Sequence, residues 1–234
     1  LLVLAIPIHL LHDLQIDGEA QKEREPFWDE IKFGIKYLYE HKLMFHLVLM
    51  TTSIGFWFNF GSATMVLFIL KDLHLKPQYF GLAIAIQGLG SIFASLTASR
   101  VSSRYGRGTV MGWSMVIQCA LWILTAFFTN IVPFVATGIV MTCLGTYWNI
   151  LIMATYQELI PNQLYGRIHG TRRTLVWGMM PFGSLFGGYA STFGLRFPIF
   201  ISGVIGATIA VFNMKFLQRL TAFSGSVDHS KVEE

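Results

Sequence analysis

The sequence has few charged residues, and one long stretch lacks them altogether. Asp, Glu, Lys and Arg make up 13% of the 234 residues, whereas soluble domains carry about 25%. None of the four occurs from Gly108 to Gln157. A helix needs roughly 20 apolar residues to cross the hydrocarbon core of a bilayer. The stretch is therefore long enough for two membrane crossings, which the turn-like segment 130–133 would separate.

Four further stretches are apolar and long enough to cross a bilayer: 43–70, 77–99, 174–195 and 197–214. The last is the shortest, and Lys215 beyond it has a stem long enough to reach the membrane surface. Apolar residues run continuously in these stretches instead of alternating, which argues against a membrane β-barrel. The sequence thus predicts an all-α, polytopic membrane protein, namely a bundle of six transmembrane helices.

Groups that could perform chemistry are missing from the predicted membrane interior. None of the 13 Asp and Glu residues falls in the middle of a predicted span, and His46, near the inner end of the first span, is interpreted as structural. Intramembrane enzymes need carboxylates, histidines or an activated nucleophile at that depth. Cys119 and Cys143 fall in different spans, which favours two small apolar fillers over a disulfide. We therefore expect no enzyme activity, no cofactor and no metal site.

Lys and Arg are scarce on one side of the predicted membrane. Only three of the 17 fall in the connections after the first, third and fifth spans: Lys71, Lys76 and Arg196. The other fourteen precede the first span or follow the second, fourth and sixth. Because cytoplasmic segments are enriched in Lys and Arg, both ends of this chain are predicted to be cytoplasmic, in the cell inner (plasma) membrane. The basic residues are explained by this topology, so we expect no nucleic-acid partner.

The predicted spans divide the chain into four parts. Residues 1–8 are apolar but too short to cross, and are interpreted as the end of a preceding span. Residues 9–42 are a cytoplasmic linker with an amphipathic helix at 26–42, because Phe27, Ile31, Ile35 and Leu38 recur at helical spacing. That helix would either lie along the inner membrane surface or pack on neighbouring loops. Residues 43–217 are the six-helix bundle, and 218–234 a cytoplasmic tail.

Several short motifs resemble those of one transporter family. The loop 99–108 contains Arg104, Gly106 and Arg107, which match the second half of the Gly-x-x-x-Asp-Arg-x-Gly-Arg-Arg motif of the major facilitator superfamily. Ser99, Ser103 and Gly108 replace its Gly, its Asp and its final basic residue. Segments 30–38, 157–167 and 177–188 are similar to the linker helix, a Gln-Glu-x-x-Pro-x-x-x-x-Gly-Arg loop and the glycine-rich eleventh span of the branch that includes bacterial macrolide and siderophore exporters.

This resemblance implies a function and a partner. The six spans would be the carboxy-terminal half of a transporter made of two six-span halves, and the partner would be the amino-terminal half of the same transporter, with the lipid bilayer around both. The implied activity is secondary active export of amphipathic small molecules, such as drugs or siderophores, by proton antiport. The titrating carboxylate would then belong to the other half. The alternative is a membrane scaffold that binds a partner without transporting anything.

The predicted substrate cavity rests on polar and aromatic residues at mid-membrane depth. At 1.5 Å per residue, Gln87 and Asn149 come close to the bilayer centre, with Asn59 somewhat further out. Either these amides bond to neighbouring helices or they face a cavity. Aromatic residues at similar depth would contact bulky substrates: Trp57, Phe58, Tyr147 and Trp148. The resemblance implies that the third and sixth spans lie outside the cavity, which favours Gln87 and Asn149 over Gln118 and Asn213.

The fifth predicted span is rich in glycine. Gly183 and Gly187 have the four-residue spacing that lets two membrane helices pack closely. Pro181 removes one hydrogen-bond donor from the helix and permits a bend, and Gly188 extends the run of small residues. The pattern predicts a close-packed helix with a role either in gating or in packing alone.

Overall fold

The computed structural model describes residues 27–160 and 164–224, and within these ranges it has no strand. The helices are α1 Phe27–Glu40, α2 Lys42–Ser62, α3 Pro77–Tyr105, α4 Arg107–Thr125, α5 Ile131–Leu159, α6 Tyr165–Ala190 and α7 Arg196–Ser224. Helix α2 is prolonged by a helical turn, Met65–Leu67, and a π-helical turn, Phe68–Asp72. The predicted all-α fold is confirmed. Residues 1–26 and 225–234, which include the predicted end of a preceding span, lie outside the described residues.

Five of the long helices have the length and composition of membrane spans. They are Lys42–Asp72, Pro77–Tyr105, Arg107–Thr125, Ile131–Leu159 and the apolar part of α7, Arg196–Arg219. Helix α6 is as long as these, with 26 residues, but its glycines and its basic first turns make it less apolar. The span predicted at 174–195 therefore stays a prediction. Its support is packing, because the contact of α6 with α2 is among the three most extensive in the bundle.

The helices pack in three pairs, which are joined side by side. The most extensive contacts are α4 with α7, α3 with α5, and α2 with α6, and the pairs are joined through α4 with α5 and α2 with α7. Helix α1 packs on α6 and α2 with Leu38 buried. The helix thus packs on two helices of the bundle, and its position relative to the membrane surface stays a prediction.

The connections between successive helices lie at the two ends of the bundle. We call the end with the connections at 41 and 106, where α5 also ends and α6 begins, the basic end, because α3, α4 and α6 carry their arginines there. A large buried cluster, which includes Leu47, Met111 and Ile168, lies towards this end. A smaller cluster around Phe68 and Phe134 lies towards the opposite end.

An ion pair ties three helices together at the opposite end. Arg196 Nε donates to Asp72 Oδ2 over 2.8 Å, and its Nη1 donates to the Ala126 carbonyl over 3.2 Å. The ends of α2 and α4 and the start of α7 are thereby held together, beside the Phe68 ring.

Two predicted boundaries differ from the observed helices. Helix α3 continues to Tyr105, beyond 99, and α7 continues to Ser224, beyond the predicted bundle limit at 217. Hydropathy marks where a helix leaves the hydrocarbon, whereas the helix itself ends where backbone hydrogen bonding stops. Gly106, with φ 83°, ends α3 in the left-handed region, and α7 contains neither Gly nor Pro after Lys215.

Candidate functional site

A cavity of about 650 Å³ lies among four helices. The end of α2 and the turn that prolongs it, together with α3, α4 and α5, form its wall. The polar lining consists of uncharged amides and hydroxyls: Ser62, Gln87, Gln118, Thr125, Thr142, Thr146 and Asn149. The apolar lining is aromatic or aliphatic: Phe58, Met65, Ile84, Trp122, Phe134, Met141 and Ile150, with Gly138 and Gly145. Among the residues that the structure describes, no Asp, Glu, Lys, Arg or His lines the cavity. Most of these residues belong to the parts of their helices nearer the opposite end.

Gln87 reaches the cavity because the facing helix has no side chain at Gly138. A Cβ at Gly138 would overlap the amide group of Gln87. The Nε2 atom of Gln87 is buried and has no hydrogen-bond partner in the structure. A buried donor without a partner costs about 1–3 kcal/mol, so this amide is suited to a ligand oxygen or to a water molecule.

The two other amides on the wall have different surroundings. Gln118 Nε2 donates to the Met141 carbonyl over 3.2 Å and thereby joins α4 to α5. The Asn149 side chain is exposed on the cavity wall. Gln118 is thus held by the fold, whereas Gln87 and Asn149 can orient a ligand.

The aromatic part of the wall is rigid. Trp122 Nε1 donates to Ser202 Oγ over 2.6 Å, and the Phe58 ring lies 5.2 Å from the Trp122 ring. Gly61 makes room for this pair, since a Cβ there would overlap Ser202 Oγ. An apolar surface of two rings is therefore held in place by contacts within the chain.

Four of the predicted cavity residues do not line this cavity. Asn59 donates to the Gly55 carbonyl of its own helix over 2.8 Å, and Trp57 packs between Phe56 and Phe60. Tyr147 is buried with its hydroxyl 2.6 Å from Thr97 Oγ1. Trp148 packs against the basic-end cluster. Each is next to a lining residue in the chain, but successive residues of a helix point about 100° apart.

Helix α4 contributes to the cavity, contrary to the expectation for the third span. Gln118, Trp122 and Thr125 all line it, whereas α7 contributes no lining residue. Sequence analysis missed Trp122 because the third span was assigned outside the cavity on family grounds. A detectable signal was the four-residue spacing of Gln118 and Trp122 in the more apolar second half of the helix.

An ion pair links the loop between α3 and α4 to the end of α5. Arg107 Nη1 donates to Glu158 Oε2 over 2.6 Å, which links the start of α4 to the end of α5. Arg104 is exposed, with its guanidinium 5.5 Å from the centre of the Tyr105 ring. Ser103, at the position of the family's Asp, donates to the Arg100 carbonyl. Arg107 therefore has an acidic contact, although the acid of the loop motif is absent.

The glycines of α6 form a seam with α2. A Cβ at Gly183 or Gly187 would overlap the carbonyl oxygen of Phe56 or Phe60, respectively, whereas nothing lies within 4 Å of a Cβ at Gly188. Pro181 is exposed, inside a helix that continues on both sides of it. Gly183 and Gly187 thus allow close backbone approach, while Gly188 faces away from the seam.

A buried arginine lies near the basic end of α6. Arg172 is 9% exposed, and its guanidinium lies 4.1 Å from the centre of the Tyr156 ring. His169 is 3.5 Å from the same guanidinium. Burial, together with the charges of Arg172 and Arg173, lowers the pKa of His169, so its neutral form is favoured at pH 7. Within the described ranges no group of three or more His, Cys, Asp or Glu residues is arranged to hold a metal.

Comparison with known proteins agrees with the helical architecture. The family model of the Major Facilitator Superfamily matches residues 43–231, which is most of the chain. The chain belongs to this superfamily. It is also 28% identical over 113 residues to an uncharacterized MFS-type transporter, YceJ, of Bacillus subtilis (strain 168). That match covers 44% of this chain and 27% of the relative's own length. As a member of the superfamily, the chain is a multi-pass membrane protein in contact with lipid.

Proposed function

We propose that this chain is the carboxy-terminal six-helix half of a secondary active transporter that exports amphipathic small molecules, such as drugs or siderophores. Family membership supports the transport activity. The observation that supports the substrate class is the cavity, which offers fixed aromatic surface and amide groups but no charge. Such a wall suits a bulky, largely apolar ligand with a few hydrogen-bonding oxygens.

Proton antiport would require a titratable group that this cavity does not supply. Amides and hydroxyls at mid-membrane can orient a substrate, but they do not exchange protons near pH 7. We therefore assign the coupling carboxylate to the amino-terminal half, which would complete the cavity in the cell inner membrane. On this assignment, substitutions in the present cavity change substrate recognition and leave proton coupling intact.

The test is transport by the full-length transporter in proteoliposomes, comparing Gln87→Ala, Asn149→Ala and the parent protein. We expect each substitution to raise the substrate KM about tenfold, as loss of a hydrogen bond worth about 1–1.5 kcal/mol implies. The number of protons exchanged per substrate should not change. Asn59→Ala is the matched control, since it removes an amide of α2 that bonds to its own helix and does not line the cavity.

Other outcomes would contradict the proposal in distinguishable ways. If both cavity variants have a lower melting temperature than the parent protein but keep its substrate preference, the amides only hold helices together. A full-length protein that binds substrate but never moves it across the bilayer would favour the scaffold function instead. Loss of proton exchange in Gln87→Ala alone would place coupling in this half.

A further inference from the structure

A second hollow, separate from the cavity, lies at the basic end between α2 and α7. Its volume is about 430 Å³, and it is lined by His46, Phe212, Asn213, Lys215, Phe216 and Arg219. We propose that this hollow binds the phosphate headgroup of an anionic phospholipid of the inner leaflet. The proposal does not depend on what the transporter carries.

The floor of the hollow is fixed by contacts between the two helices. His46 Nε2 lies 2.6 Å from Asn213 Oδ1, so the ring nitrogen donates to the amide oxygen. The Asn213 amide nitrogen donates in turn to the Ile209 carbonyl, which sets the direction of the amide. The Phe216 ring packs edge-on against the His46 ring at 4.3 Å. A headgroup would therefore meet a preformed site with little ordering cost.

The charged residues that line the hollow are basic. Lys215 and Arg219 are four residues apart on α7 and hence on the same face, and among the described residues neither Asp nor Glu lines the hollow. Within the described ranges, neither cation forms an ion pair. These cations are available to a phosphate, which arginine can bind through two parallel hydrogen bonds.

The membrane side of the hollow continues into apolar surface. Phe212 is 82% exposed and Val211 61% exposed, on the part of α7 that is apolar enough to cross the bilayer. Lys215 directly follows the end of the apolar stretch 197–214. The hollow therefore lies at the depth of lipid phosphates, with hydrocarbon on one side. Basic pockets between helices at the cytoplasmic surface are typical sites for anionic headgroups, and a soluble phosphate would not use the apolar rim.

The experiment measures lipid binding to the full chain, purified in a neutral detergent, by native mass spectrometry. Phosphatidylglycerol and phosphatidylcholine with identical acyl chains are titrated separately. We expect preferential binding of phosphatidylglycerol, weakened about fivefold for each removed charge in Lys215→Gln/Arg219→Gln. The charge-conserving Lys215→Arg/Arg219→Lys should retain most of the preference.

The matched control is Arg100→Gln/Arg104→Gln, which removes two exposed cations four residues apart at the same end of the bundle but outside the hollow. It should bind phosphatidylglycerol like the parent chain. Equal weakening in both double variants would overturn the proposal, because general surface charge would then explain binding. Equal affinity for the two lipids would also overturn it. Displacement of phosphatidylglycerol by millimolar glycerol phosphate would show a soluble-anion site instead of a lipid site.

Discussion

The contact between Arg107 and Glu158 illustrates how a single pair can matter for function more than for stability. The two side chains are 29% and 45% exposed, and ion pairs of this kind contribute about 0–1 kcal/mol. Such a contribution is small beside the free energy gained by burying the core of the bundle. It is nevertheless comparable to the energy that shifts a balance between two conformations of similar stability. The pair joins the ends of α4 and α5, where a moving bundle would change its contacts.

We predict that reversing either charge lowers transport while leaving the protein folded. Arg107→Glu or Glu158→Arg places like charges together at the basic end, so the transport rate of the full-length protein should fall severalfold in proteoliposomes. The melting temperature should change little, because the pair is partly exposed. The double variant Arg107→Glu/Glu158→Arg should recover most of the rate. Arg104→Glu is the comparison, since it reverses an exposed charge in the same loop. No recovery in the double variant would show that Arg107 acts through other partners.

Which single residues line the cavity was only partly predictable from the sequence. Depth follows from counting residues along a helix, and Gln87 and Asn149, chosen for their depth, both line the cavity. Their role in substrate binding stays a prediction. Rotation about the helix axis does not follow from counting when the helix is apolar all round. Trp57 and Tyr147 have suitable depth but face helix contacts instead. The exposed state of Asn149 and the unpaired amide of Gln87 depend on packing that only the structure provides.

At the scale of the elements, the contact between α2 and α6 depends on glycine. Gly183 and Gly187 lie against carbonyl oxygens of α2, so the two backbones are closer than side chains would allow. Close approach compensates for the low hydropathy of α6, since dispersion contacts between helices do not require apolar side chains. The spacing was visible in the sequence, but the partner helix was not.

We predict that Gly187→Ala destabilises the bundle whereas Gly188→Ala does not. The added methyl group at Gly187 would overlap the Phe60 carbonyl, a backbone atom, so α6 must move away from α2 at a cost of about 1–3 kcal/mol. At Gly188 the methyl group meets open space, and the gain in helix propensity is about 0.5–1 kcal/mol. Denaturant unfolding in detergent micelles measures the difference. Equal stability of the two variants would show that the seam relaxes freely.

Most of the helices themselves were predictable, for a simple reason. A membrane excludes charge and requires every backbone N–H and C=O to be hydrogen-bonded within the protein. Long uncharged stretches therefore predict helices. Five of the predicted spans coincide with helices of suitable length and composition. The extension of α7 to Ser224 was not predictable from hydropathy, since helices continue beyond the hydrocarbon without a compositional sign.

At the scale of the whole molecule, the asymmetry of charge and the asymmetry of the fold coincide. The three arginines at the α3–α4 connection lie at the same end as those in the first turns of α6. Lys71, Lys76 and Arg196 lie at the opposite end, towards which the cavity wall is also displaced. Since cytoplasmic segments carry the excess of Lys and Arg, this arrangement predicts that the cavity lies nearer the outer side of the membrane.

We therefore predict that the basic end is cytoplasmic and that the cavity lies nearer the outer side. Lys76 and Ser103 are both exposed in the structure, at opposite ends of α3, so they form a matched pair for labelling. In full-length protein with Cys119 and Cys143 replaced by alanine, Lys76→Cys should react with a membrane-impermeant maleimide in intact cells. Ser103→Cys should react only after the membrane is permeabilised. The reverse pattern would contradict the orientation and would place the anionic-lipid hollow in the outer leaflet, whereas labelling of both sites in intact cells would show that α3 does not cross the membrane.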